Sequence, residues 1–224
     1  MDYNWSDSMQ FIVNHSVYTP VRIFCIGQNY IAHIRELKNE VPDEPVVFQK
    51  PFTSLVLPGE KVKIPTHGKN LHHEVEVVVL IGKEGKAYSV DEASSFVAGV
   101  SLGLDLTLRD VQTALRKKGL PWEAAKAFEQ SAPIGEFTPF GDHLDLKNIS
   151  FECRVNGEVR QKGNTSNMIF SIEMLIYKMS KIWRFRPGDV IYTGTPEGVA
   201  PLNPGDKITI FSPDIGEFEW EIVS

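Results

Sequence analysis

The segment at residues 74–81, EVEVVVLI, constrains the fold of this chain more than any other stretch. Its β-branched residues are typical of a β-strand. Side chains two residues apart on a strand point to the same face, so Glu74 and Glu76 project together and the intervening valines face the other way. Neighbouring carboxylates repel each other, and a hard cation with oxygen ligands removes that repulsion. The segment therefore predicts either a metal-binding strand or a solvent-facing strand edge with two ordinary glutamates.

Strand-like runs outnumber helical ones along the rest of the chain. They are residues 21–26 (VRIFCI), 99–106 (GVSLGLDL), 150–155 (SFECRV), 158–163 (EVRQKG), 189–194 (DVIYTG), 207–211 (KITIF) and 217–223 (EFEWEIV). Helical patterns occur singly, at residues 29–39, 89–96, 108–118 and 172–182. This order predicts an α+β, β-rich fold in which a mixed, curved sheet packs against a few helices.

Local signals mark the ends of several of these elements. Asn29, Thr107 and Ser171 are each placed to cap the helical pattern that follows. Asn156-Gly157 predicts a tight hairpin turn between two of the strand-like runs. Before the first strand, residues 1–20 are interpreted as an extended lead-in.

Composition and charge argue against several classes of partner. The formal net charge of -6 disfavours nucleic acid, which basic patches bind. No apolar stretch approaches the length of a membrane span, and the acidic, polar N-terminus has no targeting character. Cys25 and Cys153 lie inside apolar runs, which favours buried free thiols in a reducing compartment over a disulfide. We therefore expect a cytoplasmic protein that binds neither nucleic acid nor a membrane.

Asp105 strengthens the metal interpretation. It lies in a run whose other members are apolar or small, where an ionised carboxylate is unfavourable unless it is paired or metal-bound. The alternative is a structural aspartate with a partner such as Arg109. Asp105, Glu74 and Glu76 come from two strand-like segments that can be neighbours in one sheet. Three carboxylates suit Mg2+, Mn2+ or Ca2+ better than zinc.

Two histidines precede the glutamates in the motif LHHEVEV. Strand alternation puts only His72 on the face of the glutamates. The motif contains no cysteine or further histidine to complete a tetrahedral zinc set. We interpret His72 and His73 as structural residues or as supports for the metal ligands.

Positive and amide side chains follow Asp105 along the chain. Arg109 and Gln112 are three residues apart on one helix face, and Lys126 lies in PWEAAKAF. Near a metal, a guanidinium and an ammonium suit a substrate that carries a carboxylate and a carbonyl. The alternative for each cation is an ordinary solvated surface position.

A histidine and a glutamate form a further candidate pair. His33 and Glu36 are spaced to lie side by side on a helix, where the carboxylate orients the imidazole and raises its basicity. Such a pair can activate water or take a proton, although a surface His–Glu pair is an equally good interpretation. The glycine-containing loop TGTPEGV offers hydroxyl and backbone donors to an anion but lacks the lysine of a P-loop.

An ordered set of motifs resembles the fumarylacetoacetate hydrolase family. The motifs are CIGQNYIAHIREL, VVFQKP, LHHEVEVVVLIG, GLDLTLRDVQ, GLPWEAAKAF, NGEVRQKGNTSNMIFS and GDVIYTGTPEGV. They are most similar to the small single-domain members that act as acylpyruvases and oxaloacetate decarboxylases. The resemblance begins at about Val21 and implies one catalytic domain over residues 21–224.

The resemblance implies a mixed β-sandwich roll, usually a homodimer, that holds Mg2+ or Mn2+, with Ca2+ able to replace them in crystals. It assigns metal ligation to Glu74, Glu76 and Asp105, substrate binding to Arg109, Gln112, Lys126 and Thr195, and catalysis to Lys126 and the dyad His33 and Glu36. Lys50 matches a family position of unassigned role. The founding enzyme has an extra N-terminal domain and a fourth metal carboxylate, and the stretch before Gly27 offers no such carboxylate. This departure argues against fumarylacetoacetate itself as the substrate.

The activity implied by the resemblance is divalent-metal-dependent C–C bond cleavage of small 2-oxo acids. The expected reactions are acylpyruvate hydrolysis and oxaloacetate decarboxylation, through a metal-stabilised enolate. The same site can instead only move a proton, which would make the enzyme an oxaloacetate keto–enol tautomerase. Isomerases and decarboxylases of aromatic degradation are a further branch on this scaffold. An alternative of another class is a non-catalytic metal-binding protein.

Overall fold

A computed structural model describes residues 9–37, 39–141 and 143–224 of the protein. Its strands, in chain order, are β1 (Phe11–Val13), β2 (Ser16–Tyr18), β3 (Ile23–Gly27), β4 (Val46–Lys50), β5 (Leu55–Val56), β6 (Lys61–Lys63), β7 (Leu71–His73), β8 (Val75–Ile81), β9 (Val97–Leu104), β10 (Thr107–Leu108), β11 (Ala132–Pro133), β12 (Thr138–Pro139), β13 (Ser150–Val155), β14 (Glu158–Asn164), β15 (Val190–Tyr192), β16 (Ala200–Pro201), β17 (Lys207–Ser212) and β18 (Gly216–Val223).

The helices are short and lie between the strands. The α-helices are α1 (Ile31–Glu36), α2 (Val90–Ala93), α3 (Arg109–Lys117), α4 (Glu123–Lys126) and α5 (Ile172–Ile182), and 3-10 turns occur at Phe52–Ser54, Ser94–Phe96 and Thr165–Asn167. No helix within the described ranges is both long and apolar enough to cross a lipid bilayer.

Two mixed sheets form most of the structure. The larger has the strand order β12-β9-β8-β15-β3-β4, and the second has the order β14-β13-β17-β18-β6. The pairs β15–β3 and β18–β6 are parallel, whereas the other pairs within these two sheets are antiparallel. Smaller sheets, β10-β7-β16, β11-β5 and β1-β2, complete the set. The Asn156-Gly157 turn joins β13 to β14 as predicted, and the β-rich α+β fold is confirmed.

The six-stranded sheet is covered on both faces. On one face Phe24 and Ile26 of β3 pack into the larger core with side chains of the second sheet, such as Trp220, and of α5. The alternate residue Cys25 faces a smaller core that Phe11 of β1 completes. Successive side chains of β3 thus enter opposite cores, as expected for a strand that is buried on both faces. Any charged side chain on the central strands is therefore removed from bulk water.

The N-terminal region forms a β-hairpin, which the description as an extended lead-in did not anticipate. β1 and β2 pair antiparallel around Asn14 and His15, both of which have positive φ. Phe11 and Val13 are buried against the six-stranded sheet. Residues 1–8 of the predicted lead-in lie outside the described residues.

Asn29 does not cap the helix that follows it, so this prediction was wrong. α1 begins after Tyr30 without a side-chain cap. The Asn29 side chain is buried and donates to the carbonyls of Phe170, at 3.0 Å, and Thr193, at 2.8 Å. A buried amide needs partners, and here two other segments of the chain supply them in place of the helix terminus.

Thr107 is likewise not a helix cap. It lies in β10, where its hydroxyl donates to the Asp105 carbonyl at 3.0 Å, and Leu108 is the residue that precedes α3. Thr107 pairs with His72 of β7 as a strand residue, so it is not available as the helix N-cap that the sequence pattern predicted. Ser171 does cap α5, because its hydroxyl accepts a hydrogen bond from the Met174 amide.

Candidate active site

Glu74 and Asp105 lie side by side where β8 begins and its partner β9 ends. β8 and β9 run antiparallel with Val75 opposite Leu104, and one residue further on the Asp105 amide donates to the Glu74 carbonyl at 2.9 Å. Glu76 lies two residues along β8 and shares the face of Glu74. The pairing of these strands therefore brings the three carboxylates together.

The carboxylates form a buried cluster. One oxygen from each of Glu74, Glu76 and Asp105 lies within 4.8 Å of the others. The three residues are 4%, 1% and 1% exposed, and β8 is internal, between β9 and β15. This placement excludes the alternative of a solvent-facing strand edge. Buried carboxylate oxygens that converge in this way suit a hard divalent cation such as Mg2+ or Mn2+.

Three cations contact two of the carboxylates. Lys126 Nζ lies 2.7 Å from Glu74 Oε2 and 2.6 Å from Asp105 Oδ2, so it bridges them. Arg109 donates to the other oxygen of Glu74. Lys50 Nζ lies 2.9 Å from Asp105 Oδ1. The partners of Asp105 are thus Lys50 and Lys126, and not Arg109 as the structural alternative supposed.

The surroundings of Glu76 indicate whether the three carboxylates fit a bound cation. Within the described ranges no lysine or arginine forms an ion pair with it, and its Oε2 accepts from the Gly194 amide at 2.7 Å. Burial raises the pKa of Glu76 well above its usual range, and the carboxylates of Asp105 and Glu74 raise it further. A divalent cation would supply the positive charge that this carboxylate lacks, so the donor set fits such an ion.

The bridging ion pairs keep their members charged. Burial alone would raise the pKa of Glu74, but Lys126 and Arg109 outweigh burial and hold that pKa well below its usual range. Burial likewise would lower the pKa of Lys126, but Asp105 and Glu74 raise it. Lys126 is therefore an ammonium group, available as a donor to a substrate oxygen but not as a base.

A cavity opens onto the cluster and brings the predicted substrate-binding residues together. Its polar lining includes His33, Arg109, Gln112, Arg116, Lys126 and Thr195. Arg109 Nη1 donates to Gln112 Oε1 at 2.7 Å, as expected for residues three apart on α3. The cavity therefore presents three cationic side chains beside the carboxylates of Glu74 and Glu76. With a divalent ion held by those carboxylates, the lining would suit an anionic ligand.

The His33–Glu36 pair lies at this cavity. His33 Nδ1 is 3.1 Å from Glu36 Oε2, and His33 is buried and lines the cavity. The second oxygen of Glu36 accepts from the Gly198 amide at 3.0 Å. Because Glu36 holds Nδ1, Nε2 is the ring nitrogen left to exchange a proton with a ligand.

The loop at residues 193–198 contacts both the carboxylate cluster and the dyad. Its Gly194 amide donates to Glu76, and its Gly198 amide donates to Glu36. Gly194 has a φ of 102°, and a Cβ there would lie 2.6 Å from that of Asn29. The Thr195 hydroxyl donates to the Val75 carbonyl at 2.8 Å, so this predicted substrate contact also ties the loop to β8.

The two histidines before the glutamates have separate surroundings. His73 is fully buried, with Nδ1 2.8 Å from Gln161 Oε1, and burial lowers its pKa. His72 is partly buried, and burial together with Arg109 lowers its pKa to about 4. Neither belongs to the carboxylate cluster among the described residues.

Two contributors to this region were not singled out as site residues from the sequence. Gln161 is the one buried position in β14 and contacts both the Thr195 loop and β8. Arg116 lies two turns after Arg109 on α3 and lines the cavity mouth. A glutamine in a polar strand and an arginine among basic helix residues give no local signal of these placements.

Comparison with known proteins identifies the family. The model of the fumarylacetoacetate (FAA) hydrolase C-terminal domain matches residues 22–223 of the chain. The chain belongs to the fumarylacetoacetate hydrolase family. The match covers most of the strands and helices that build the cavity, and it confirms the resemblance drawn from the motifs.

Relatives within the fumarylacetoacetate hydrolase family cover most of the chain. A Bos taurus protein named oxaloacetate tautomerase, mitochondrial, is 47% identical over 186 residues, which are 83% of this chain and 84% of the relative. Oxaloacetate tautomerase YcgM of Escherichia coli (strain K12) is 44% identical over 194 residues, which are 86% of this chain and 89% of the relative.

A solved structure of the same fold contains a metal and a small 2-oxo acid. Fumarylpyruvate hydrolase from Pseudomonas aeruginosa, in complex with Mn2+ and pyruvate, superposes with a TM-score of 0.90 at 33% identity. The superposition covers 96% of this chain and 95% of that one. The family assignment therefore rests on sequence and on fold together, and it identifies this chain as a member of an enzyme family.

Proposed function

We propose that this protein is a divalent-metal-dependent enzyme that interconverts the keto and enol forms of a small 2-oxo acid, with oxaloacetate as its substrate. The observation that carries the proposal is the buried cluster of Glu74, Glu76 and Asp105 at the foot of a cavity that also contains the His33–Glu36 pair. The relatives named oxaloacetate tautomerase support this choice of reaction.

The charge of the site supports a doubly charged substrate. Lys50, Arg109 and Lys126 balance the three carboxylates, so a bound divalent ion leaves positive charge in excess. When bound, the ion supplies Lewis-acid stabilisation of negative charge on the substrate oxygens. Arg109 and Lys126 bind and orient the carboxylates of the substrate. Oxaloacetate, with two carboxylates and a 2-oxo group, satisfies these requirements.

The dyad moves the proton. Glu36 holds His33 through Nδ1, and the carboxylate stabilises the imidazolium that forms when Nε2 removes a proton from the carbon next to the keto group. In the keto-to-enol direction His33 returns that proton to the enolate oxygen. In the enol-to-keto direction Nε2 removes the enol O–H proton and His33 delivers it to the carbon. Because His33 is buried beside the cavity, the proton is exchanged with the substrate with little competition from bulk water.

C–C bond cleavage is a second candidate. The neighbour named fumarylpyruvate hydrolase and the motif resemblance support acylpyruvate hydrolysis, in which His33 and Glu36 would activate a water molecule. Oxaloacetate decarboxylation would need no water. These reactions share the enolate with tautomerisation, and they differ in whether pyruvate is released.

Purified protein loaded with Mg2+ or Mn2+ tests the proposal. Enol oxaloacetate is added, loss of its ultraviolet absorbance is followed, and pyruvate is measured with lactate dehydrogenase. We expect ketonisation far faster than with the same free metal alone, without stoichiometric pyruvate. Pyruvate release from acetylpyruvate or oxaloacetate at comparable rates would favour C–C cleavage. Ketonisation no faster than with a Glu76→Gln protein would overturn the metal-dependent proposal.

The remaining proposals concern the metal, assembly and compartment. The metal is Mg2+ or Mn2+, since the carboxylate donors suit both and the Pseudomonas structure holds Mn2+.

We propose a homodimer, which light scattering after gel filtration tests. Two buried free thiols, Cys25 and Cys153, support a reducing compartment such as the cytoplasm, although some relatives are named as mitochondrial proteins.

A further inference from the structure

The Gln161 side chain joins the second sheet to both parts of the active-site region. It lies on β14 and is 1% exposed, and its side-chain amide forms hydrogen bonds to residues outside its own sheet. Oε1 lies 2.8 Å from His73 Nδ1 and accepts from the Val75 amide at 3.1 Å. Nε2 donates to the Thr195 hydroxyl and to the Pro196 carbonyl, each at 2.9 Å.

Backbone partners fix the orientation of this amide. The Val75 N–H can only donate and the Pro196 carbonyl can only accept, so Oε1 must face Val75 and Nε2 must face Pro196. A flipped amide would bring a donor against a donor and an acceptor against an acceptor. The side chain therefore spans the gap between β8 and the loop at residues 193–198 in a single arrangement.

Both segments that Gln161 joins carry groups of the proposed site. Val75 lies between Glu74 and Glu76. On the other side, the loop donates its Gly194 amide to Glu76 and its Gly198 amide to Glu36. A shift of the loop relative to β8 would therefore move one carboxylate of the cluster and the carboxylate of the dyad at the same time.

We propose that Gln161 is a positioning residue that fixes the Thr195 loop against β8 and thereby sets the carboxylates of Glu76 and Glu36 for metal binding and proton transfer. The inference rests on the proposed function for the role of Glu36, but its effect on metal binding stands independently. Among the described residues no hydrogen bond joins the Gln161 side chain to the carboxylate cluster or the dyad, so its effect on them passes through the loop and the strand.

The loop packs closely on β14 beside this contact. A Cβ at Gly198 would lie 2.2 Å from the Arg160 carbonyl, so the loop backbone packs directly on β14. When an apolar side chain replaces the Gln161 amide, the buried Val75 N–H and Pro196 carbonyl lose their hydrogen bonds to it. Rearrangement of the loop is the route by which these groups regain hydrogen bonds.

The arrangement also dictates the tautomer of His73. Since Oε1 is an acceptor, His73 Nδ1 must be the ring nitrogen that carries hydrogen. Nε2, which has no hydrogen-bond partner among the described residues, is then the bare nitrogen of the neutral ring. Ring nitrogen chemical shifts distinguish the two tautomers. The wild-type protein should show the Nδ1–H form for this residue.

Three variants test the proposal. Gln161→Met keeps the length of the side chain and removes the amide, Gln161→Glu keeps the acceptors and removes the donors, and Val159→Ala is the control at an exposed position on the same strand. Mn2+ affinity is measured by titration of the metal-free proteins, followed by kcat and KM for oxaloacetate, with circular dichroism and thermal melting to check the fold.

We expect Gln161→Met to bind Mn2+ about 10- to 100-fold more weakly, the range for residues that orient metal ligands. Its kcat should fall by a similar factor with a smaller change in KM. The Mn2+ affinity and kcat of Gln161→Glu should lie between those of Gln161→Met and wild type. The values for Val159→Ala should match wild type. Hydrogen exchange in the metal-free proteins should be faster at Gly194 and Gly198 in Gln161→Met.

Two results would overturn the proposal. One is a Gln161→Met protein that is folded, even if less stable, and binds Mn2+ as wild type does. Another, which needs no variant to fold, is an Nε2–H tautomer of His73 in the wild type. If wild type lacks oxaloacetate turnover while Mn2+ affinity still depends on Gln161, the proposed function fails and the positioning role stands.

Discussion

The backbone amide of Asp105 donates a hydrogen bond to the carbonyl of Glu74, with the two atoms 2.9 Å apart. These carboxylates are 31 positions apart in sequence, and this strand pairing makes them neighbours. Their repulsion is offset by Lys126, which bridges them, while Glu76 stays without a cationic partner among the described residues. The site therefore brings three buried carboxylates together with unequal cationic compensation, and a divalent ion would complete it.

Loss of the bridging ammonium should destabilise the metal-free protein. In Lys126→Met the buried carboxylates of Glu74 and Asp105 lose their shared partner, and breaking such a buried pair costs about 3–5 kcal/mol. Urea denaturation in the presence of a chelator measures the change. An exposed lysine, Lys162→Met, is the control. A loss below about 1 kcal/mol would show that Lys126 does not hold the cluster together.

Neutralising Glu76 should have the opposite effect on the metal-free protein. Glu76→Gln keeps the shape and removes a buried carboxyl that two like groups surround, so we expect a gain of about 1 kcal/mol, or roughly 2–4 °C in Tm. Calorimetry in chelator measures it, and Glu136→Gln at an exposed position is the control. Saturating Mn2+ should reverse the order, since it stabilises only the protein that binds it. A lower Tm for Glu76→Gln in chelator would contradict this view of the site.

The sequence was most informative where a local pattern carries the chemistry. Alternation along EVEVVVLI put Glu74 and Glu76 on one face, and the apolar run around Asp105 marked that aspartate as unusual. Both inferences need only strand geometry and the free energy of burying a charge. The β-rich fold class followed from the same kind of local pattern.

Features that depend on pairing between distant segments could not be predicted in this way. Asn29 has the sequence of a helix cap but is buried between two other segments, where tertiary hydrogen bonds outweigh the local preference. Lys50 and Gln161 are of residue types usually found at the surface, and only the packed structure shows their partners. The N-terminal hairpin, too, is fixed by its contact with the six-stranded sheet.

The dyad should control turnover without affecting metal binding. Glu36→Gln keeps a partner for His33 but removes the charge that stabilises the imidazolium, so we expect kcat to fall roughly 100-fold. His33→Asn should lower it at least as far. Steady-state ketonisation assays and Mn2+ titrations of both variants check this. If Mn2+ affinity falls along with kcat, His33 and Glu36 support the cluster and are not the proton-transfer pair.

Arg116 should select for a second carboxylate on the substrate. It lines the cavity on the same helix as Arg109, and its guanidinium donates to the Asn39 side chain at 2.8 Å, which holds it at the mouth. In Arg116→Gln we expect KM for oxaloacetate to rise several-fold, about 1 kcal/mol for a solvent-screened pair, with little change for acetylpyruvate. Lys117→Gln is the control on the next residue. An equal rise for both substrates would exclude a role in specificity.

Titration of the metal-free protein with Mn2+ shows whether the three buried carboxylates converge on one divalent ion. We expect one Mn2+ bound per chain, and binding at least 100-fold weaker in Asp105→Asn and in Glu76→Gln, with the fold intact in both. No binding by the wild type, or the same affinity in all three proteins, would contradict it.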